Sequence, residues 1–463
     1  MSPLMAVVVG MIMVILDSTV LNVALPKFLQ EFHSTLSVVQ WTFTGYTLAL
    51  SAVIPLAGWM IDRFGARRVF LATIVLFTAG SVLCAMAQTI EQLIIFRIVQ
   101  GLGGGMVTPI GMAVIYRLAP PNKIGAVMGV LGIPILIAPA IGPVLSGWLI
   151  DYVSWQWIFL INLPIGVLAV VLGMKFLPVF PPGHAPKLDR VGMFLAPVAF
   201  SMLAFGLNEG GTDWTSSRTI IGLAIGIVAL IGFIVVELRH KQPLLELRVF
   251  RSPDFTKGIL LLWLVQIAMF GVLVLFPVYL QTVRGYSPMD TGLIMLAQAV
   301  GSIVFTPIGG RLFDKIGARP LALVGLTAVS SALFWLSQVS LDTELLILLI
   351  PLFMIGCGMG LIMMALNTHV LNSAPRRLIS RVTSLTTAAQ HVVTSFAVAG
   401  LTGFLAFRTN GGMANVPPEN VASAYGDAFL ITAILALIGL VLSFTLRKPR
   451  IDADSSALEF QSQ

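Results

Sequence analysis

Gly58-Trp59-Met60-Ile61-Asp62-Arg63-Phe64-Gly65-Ala66-Arg67 returns, 252 residues later, as Gly310-Arg311-Leu312-Phe313-Asp314-Lys315-Ile316-Gly317-Ala318-Arg319. Glycine, aspartate, a basic residue, glycine and arginine coincide at one offset, and Pro55 and Pro307 keep it. Each copy lies between two long apolar runs, so one polar turn is used twice, as a duplicated unit requires. The glycines permit a tight reversal. Asp62 and Asp314, beside basic neighbours at a helix end, are placed to bond a facing helix or its N-terminal amides. A basic loop that only sets membrane orientation accounts for the arginines but not for the repeated aspartate.

The runs around the turns belong to a longer series. Apolar stretches recur at about 5–26, 41–61, 69–87, 93–115, 125–149, 156–177, 191–207, 219–238, 258–281, 291–311, 320–339, 345–368, 384–406 and 428–446, fourteen in all. A hydrocarbon core about 30 Å thick needs about 20 helical residues. None of the runs alternates in polarity as barrel strands do. Across 463 residues, 57% are hydrophobic and 10% charged, with mean hydropathy +0.97. Soluble domains carry roughly 25% charged residues; a chain this poor in charge cannot coat a globule with polar groups. An all-α membrane protein is therefore predicted, and a soluble enzyme is not.

Charge tests the count. With a cytoplasmic N-terminus and one crossing per run, 22 of the 27 Lys and Arg residues fall inside and four outside (Lys27, Arg218, Arg284, Arg408). Arg97 lies within a span. Positive-inside bias predicts this asymmetry, and one miscounted span would scramble it. The net charge of +7 is thus a topology signal matched to anionic lipid, not to nucleic acid. Both termini are expected in the cytoplasm. Met1–Val14 lacks a basic start and a small-residue cleavage site, so it reads as a retained first helix. Cys84 and Cys357 sit in apolar stretches and form no framework.

The expected organisation is a six-helix bundle over 1–177, a linker region with two further spans over 178–257, a second six-helix bundle over 258–450, and a disordered cytoplasmic tail over 451–463. Repeats of this kind place a transport site at their interface near the midplane.

Few ionisable groups enter the spans, and each needs a reason to be there. Asp17 is the acid of the first run and Arg97 lies early in the fourth; their depths match to about one turn. A buried Asp paired with Arg stays charged, and one separated from it in a dry cavity takes a proton more readily. The pair reads as a proton switch, with a static polar clamp as the alternative; Arg97 is also suited to an anionic substrate. His391 reads as a second proton site or as a structural histidine. The second half otherwise offers Gln266, Gln298, Asn367 and Gln390. A cavity lined by Asn22, Gln266, Met269, Phe270, Asn367, Gln390 and His391, with Phe276, Met363 and Met364, suits bulky amphipathic compounds better than sugars. No phosphate-cradling loop and no metal-ligand cluster is present, so no cofactor and no metal are expected. In the fifth run, Gly125, Gly129, Gly132, Pro139, Gly142, Pro143 and Gly147 predict a bent, closely packed helix near an outer gate.

These segments resemble the 14-span drug:proton antiporters of the major facilitator superfamily over about residues 5–447. Leu16-Asp17-Ser18-Thr19-Val20-Leu21-Asn22-Val23-Ala24-Leu25-Pro26 is similar to that group's first-helix signature, and Gly58 to Arg67 to the superfamily's cytoplasmic turn. Arg97 with Gln100, Gly101 and Gly103 resembles the fourth-helix proton-coupling motif. Gly132, Gly142, Pro143 and Gly147 resemble the fifth-helix antiporter motif. The resemblance implies Asp17 and Arg97 as the coupling pair and Gly58, Asp62, Arg63, Gly65 and Arg67, with Gly310, Asp314, Lys315, Gly317 and Arg319, as the inner gate. One departure stands out: Tyr116-Arg117 occupies the position where some relatives carry an acid to pair with the turn's arginine, leaving Asp189 or Glu246 as candidate partners. The expected function is proton-coupled export of bulky hydrophobic or cationic compounds across the cytoplasmic membrane. Its expected partners are those substrates, protons and membrane lipids, and the chain is expected to act as a monomer. A dedicated exporter of one metabolite, lipid or siderophore is the rival within transport; a non-transporting sensor or scaffold is the rival outside it.

Overall fold

The computed structural model describes residues 2–21, 24–34, 36–120, 123–179, 189–210, 213–240, 243–339, 343–375, 378–409 and 417–446. Among them there is no strand, and 13 helices are long and apolar enough to cross a membrane. These are α1 (Ser2–Val20), α2 (Trp41–Phe64), α3 (Ala66–Ala85), α4 (Ile90–Leu118), α6 (Trp157–Phe176), α7 (Arg190–Gly210), α8 (Ser217–Arg239), α9 (Pro253–Thr282), α10 (Pro288–Ile316), α11 (Ala318–Leu336), α12 (Leu345–Asn372), α13 (Ile379–Arg408) and α14 (Pro418–Ser443). Between α4 and α6 runs α5 (Ile124–Tyr152), an unbroken helix of 29 residues. The predicted tail at 451–463, residues 180–188 of the linker region and Asn22 lie outside the described residues.

Local chemistry sets the ends. Gly65 at φ +84° separates α2 from α3, and Gly317 at φ +81° separates α10 from α11, a left-handed backbone that glycine alone adopts freely. Ser216, Ser252 and Ser287 accept from backbone amides at the starts of α8, α9 and α10, as N-caps do. The first apolar run was expected to reach residue 26, but α1 stops at Val20, and Leu25–Glu31 forms a separate short helix with Pro at its start. Hydropathy cannot register that break, because the residues around it are apolar. Within α9, Gly271–Leu275 winds as a π-helix just before Pro277, a wide turn that relieves the clash of a proline ring with the preceding turn.

Packing follows the repeat. In the first half α1 packs on α4, α5 and α6, α2 on α4, and α3 on α4 and α6. In the second half α9 packs on α12, α13 and α14, α10 on α12, and α11 on α12 and α14. Adding eight to each label of the first set reproduces the second. The halves meet through α5 on α10 and α2 on α13, a pair of contacts that the same shift interchanges. α7 lies over α2 and α13, and α8 packs on α7. The outer face of α8 exposes Ile220, Ile221, Val228 and Ile231, as a lipid-facing helix should.

Candidate functional site

Side chains from α2, α3, α4 and α6 close around the Asp17 carboxylate of α1. Arg97 Nη1 lies 2.7 Å from Asp17 Oδ2, both side chains 1% exposed. Asp17 Oδ1 accepts from Gln100 Nε2 and from Asn162 Nδ2, each at 2.8 Å. Those two amides also donate to Ser81 Oγ, at 2.5 and 2.9 Å. Arg97 and Gln100 share a helix face at i and i+3. Gly80 lets α3 come close enough for Ser81 to join, since a Cβ there would lie 2.7 Å from Gln100 Cα.

Arg97 has further acceptors besides Asp17. Nη1 donates to Gln100 Oε1 at 2.6 Å, Nε to the Thr42 carbonyl at 3.3 Å, and the guanidinium stacks 3.9 Å from the Tyr46 ring centre. Buried charges survive only when paired and bonded, and this cation keeps partners whether or not Asp17 is ionised. Asn162→Ala removes a donor from Asp17 and from Ser81. It is expected to lower stability by about 1–3 kcal/mol, read as a fall in melting temperature of the purified protein; an unchanged melt would show that Asn162 is dispensable.

The repeated turns form a second locus. Asp314 accepts from the Gly125 and Ala126 amides at 2.8 Å each, capping the start of α5 across the two halves. Asp62 faces the start of α13: Ser380 Oγ donates at 2.7 Å and Arg381 Nε at 3.3 Å, with Arg117 at 3.9 Å. Tyr116 donates to Asn372 Oδ1 at 2.6 Å beside them. Gly58 and Gly310 make these approaches possible. A Cβ on Gly58 would lie 2.8 Å from the Ser380 carbonyl, and one on Gly310 would lie 2.8 Å from Gly129 Cα. Arg67 donates to the Met174 carbonyl near the end of α6, while Arg63, Lys315 and Arg319 are exposed. The candidate partners Asp189 and Glu246 are not used here. Asp189 Oδ1 instead caps α7 through the Val191 and Gly192 amides, and Glu246 lies 4.0 Å from Arg248. The turn's charge contacts run instead through Asp62, with Arg117 nearest one of its oxygens and Arg381 the other.

The remaining candidates are more dispersed. Gln266 Nε2 donates to Thr394 Oγ1 at 3.3 Å, joining α9 to α13. Met269, Phe270, Gln390 and His391 are half-buried, and Asn367 spends its amide on the Met363 carbonyl of its own helix at 3.0 Å. Phe276 is fully buried against Tyr279 and Phe429, and Met364 is buried too, so both are core rather than cavity lining. On α5, a Cβ at Gly132 would sit 2.9 Å from Met364 Cε, one at Gly142 would meet Thr19, and Gly147 faces open space. The side chains of Pro139 and Pro143 lie outside the described residues.

The model of the Major Facilitator Superfamily matches residues 7–398. The chain belongs to this superfamily. The multidrug resistance protein B homolog of Mycobacterium tuberculosis is 38% identical over 408 residues, covering 87% of this chain and 76% of that protein. The lincomycin resistance protein LmrB of Bacillus subtilis is 31% identical over 447 residues, covering 94% and 93%. The proton:xylose symporter XylE, solved with 6-bromo-6-deoxy-D-glucose, superposes with a TM-score of 0.69 at 16% identity over 99% of this chain and 98% of that one, a likeness of fold. Membership makes the protein a multi-pass transporter of the cytoplasmic membrane rather than a catalyst.

Within this superfamily fold, sequence reasoning missed Ser81 and Asn162 around Asp17 and Ser380 and Arg381 opposite Asp62. A lone Ser or Asn in an apolar run was the available signal for the first two. Nothing in the spacing marked Arg381 apart from the other basic residues.

Proposed function

We propose that this protein is a proton-coupled antiporter of the 14-span drug-export branch, carrying bulky hydrophobic compounds, cationic ones included, out of the cell by alternating access. The observation that carries the reading is the Asp17–Arg97 pair with its spare acceptors: Gln100, Thr42 and Tyr46 already hold Arg97. Protonation of Asp17 therefore leaves Arg97 with hydrogen-bond acceptors and a ring face, which lowers the cost of losing its counter-charge. Protonation weakens the bonds that Asp17 accepts from Arg97 and Gln100 on α4 and from Asn162 on α6, so a proton is converted into a change of packing inside the first half.

In this reading α5 is the fourteenth span, 1–177 and 258–450 are the two bundles, and 178–257 is the linker with α7 and α8. The correspondence of helix pairings between the halves supports the division. The termini and both turns face the cytoplasm, with basic residues concentrated at that end. Asp62 and Asp314 fasten the two halves there, so the conformation described is closed toward the cytoplasm. Opening it requires the amides of Gly125 and Ala126 and the side chains of Ser380 and Arg381 to be released together. Substrate would then load between α9, α12 and α13, near Gln266, Met269 and His391. The names of the two relatives, one for multidrug and one for lincomycin resistance, favour drug-like cargo over sugars.

The test is a panel of cationic dyes, quaternary amines and lincosamide-like drugs offered to inside-out vesicles with an acid interior. Accumulation of at least one compound that also discharges the proton gradient is expected. Transport that leaves the gradient untouched would overturn antiport.

A further inference from the structure

At the base of the α7–α8 pair, three acidic side chains are buried together: Asp189 at 5%, Glu237 at 1% and Glu246 at 7% exposure. Each leaves an oxygen without a hydrogen-bond partner: Asp189 Oδ2, Glu237 Oε1 and Glu246 Oε1. Two of these orphans border the same glycine. A Cβ placed on Gly192 would lie 2.6 Å from Asp189 Oδ2 and 2.7 Å from Glu237 Oε1. Phe200 and Phe233, both buried, pack ring to ring on the same two helices, so the surroundings are apolar.

Among the described residues, the positive charges nearby are engaged elsewhere or turned to the surface. Arg248 lies 4.0 Å from Glu246 and donates to the His240 carbonyl at 2.8 Å. Arg381 bonds Asp62 and the Pro243 carbonyl, the latter at 3.1 Å. Arg190, Arg239 and Arg251 are exposed and His240 is half-buried. Among the described residues no group of side chains fits a metal ion. Two buried carboxylates bordering one glycine, with no cation between them among the described residues, cannot both be ionised at acceptable cost.

We propose that Asp189 and Glu237 hold one proton as a pair, forming a second protonation site separate from Asp17. Asp189 is the carboxylate of the pair, because two amides at a helix N-terminus support its charge. Glu237 is the acid, because it stands in the last turn of α8, where the helix dipole opposes a negative charge. Its other oxygen accepts from the Leu245 amide at 3.2 Å. The pair stands at the foot of the buried segment 243–245, whose Pro243 carbonyl Arg381 ties to Asp62. Loss of the proton would set two carboxylates against one another there and push α7 and α8 apart.

The test uses the purified full-length protein in lipid nanodiscs, with neither substrate nor gradient, so its outcome is independent of the export reading. Near neutral pH, infrared difference spectra are expected to show a carboxylic-acid carbonyl band that Glu237→Gln removes and Asp17→Asn retains. Melting temperature should fall as pH rises through the range where the folded site keeps a proton that the unfolded chain has already released, and Glu237→Gln should flatten that slope. If Glu237→Gln fails to fold, Asp189→Asn carries the test. It preserves the helix cap but points an amide donor at Glu237 Oε1, which allows ionisation and abolishes the band. A spectrum without such a band, or one unchanged by both variants, overturns the proposal.

Discussion

Asp17→Asn is expected to abolish gradient-driven substrate uptake in inside-out vesicles while leaving a folded protein. The side chain keeps its shape, so packing among α1, α3, α4 and α6 survives, but it no longer exchanges a proton. Removing one partner of a buried ion pair generally costs about 3–5 kcal/mol, because the other charge is stranded. Arg97 retains Gln100 at 2.6 Å, the Thr42 carbonyl at 3.3 Å and the Tyr46 ring at 3.9 Å. The loss should therefore fall at the lower end, about 3 kcal/mol. Combining Asp17→Asn with Arg97→Gln should recover much of that stability without restoring coupling. Two measurements separate the outcomes: a thermal melt, and uptake with and without the gradient. Full-rate uptake by Asp17→Asn that still follows the gradient would place the coupling elsewhere.

Gly310→Val should be comparably damaging at the opposite locus. Its Cβ would press on the Gly125 carbonyl and lie 2.8 Å from Gly129 Cα. Both are main-chain atoms, so no side-chain rotation relieves the clash. Overpacking of this kind costs about 1–3 kcal/mol, and separating α5 from α10 also takes Asp314 away from two amides it holds at 2.8 Å. The expected result is a protein trapped with its cytoplasmic end apart and transport reduced at least tenfold. Distances between spin labels on α5 and α10 would show it. An unchanged distance distribution with normal transport would mean that the glycine contact is incidental.

Much of this was readable from the residues alone because membrane burial leaves few choices. An ionisable group among apolar neighbours must have a partner, so Asp17 and Arg97 were natural candidates, and the structure brings them together. The repeated turn marked Asp62 and Asp314 for the same reason, down to the N-terminal amides that Asp314 caps. The rest was hidden by the same physics. Ser81 and Asn162 are single small polar residues whose importance depends on which helix faces which, and no periodicity records that. Glu237 escaped notice because it stands beside Arg239 at a span's end, where a solvated acid is ordinary; only the fold shows it buried with Asp189. The end of α1 at Val20 was invisible to hydropathy, since the chain turns without becoming polar.

The two turn aspartates look alike in sequence but do not depend on their surroundings in the same way. Asp314 takes hold of peptide N–H groups, which any residue but proline supplies at 126 and glycine supplies at 125 without crowding the contact. Asp62 takes hold of a hydroxyl and a guanidinium, which one replacement at Ser380 or Arg381 deletes. One latch is therefore written into the backbone and resists mutational drift, provided the glycines stay. The other is adjustable residue by residue, and variation at positions 380 and 381 gives a transporter of this design a simple way to set how firmly the end that carries the two turns stays shut.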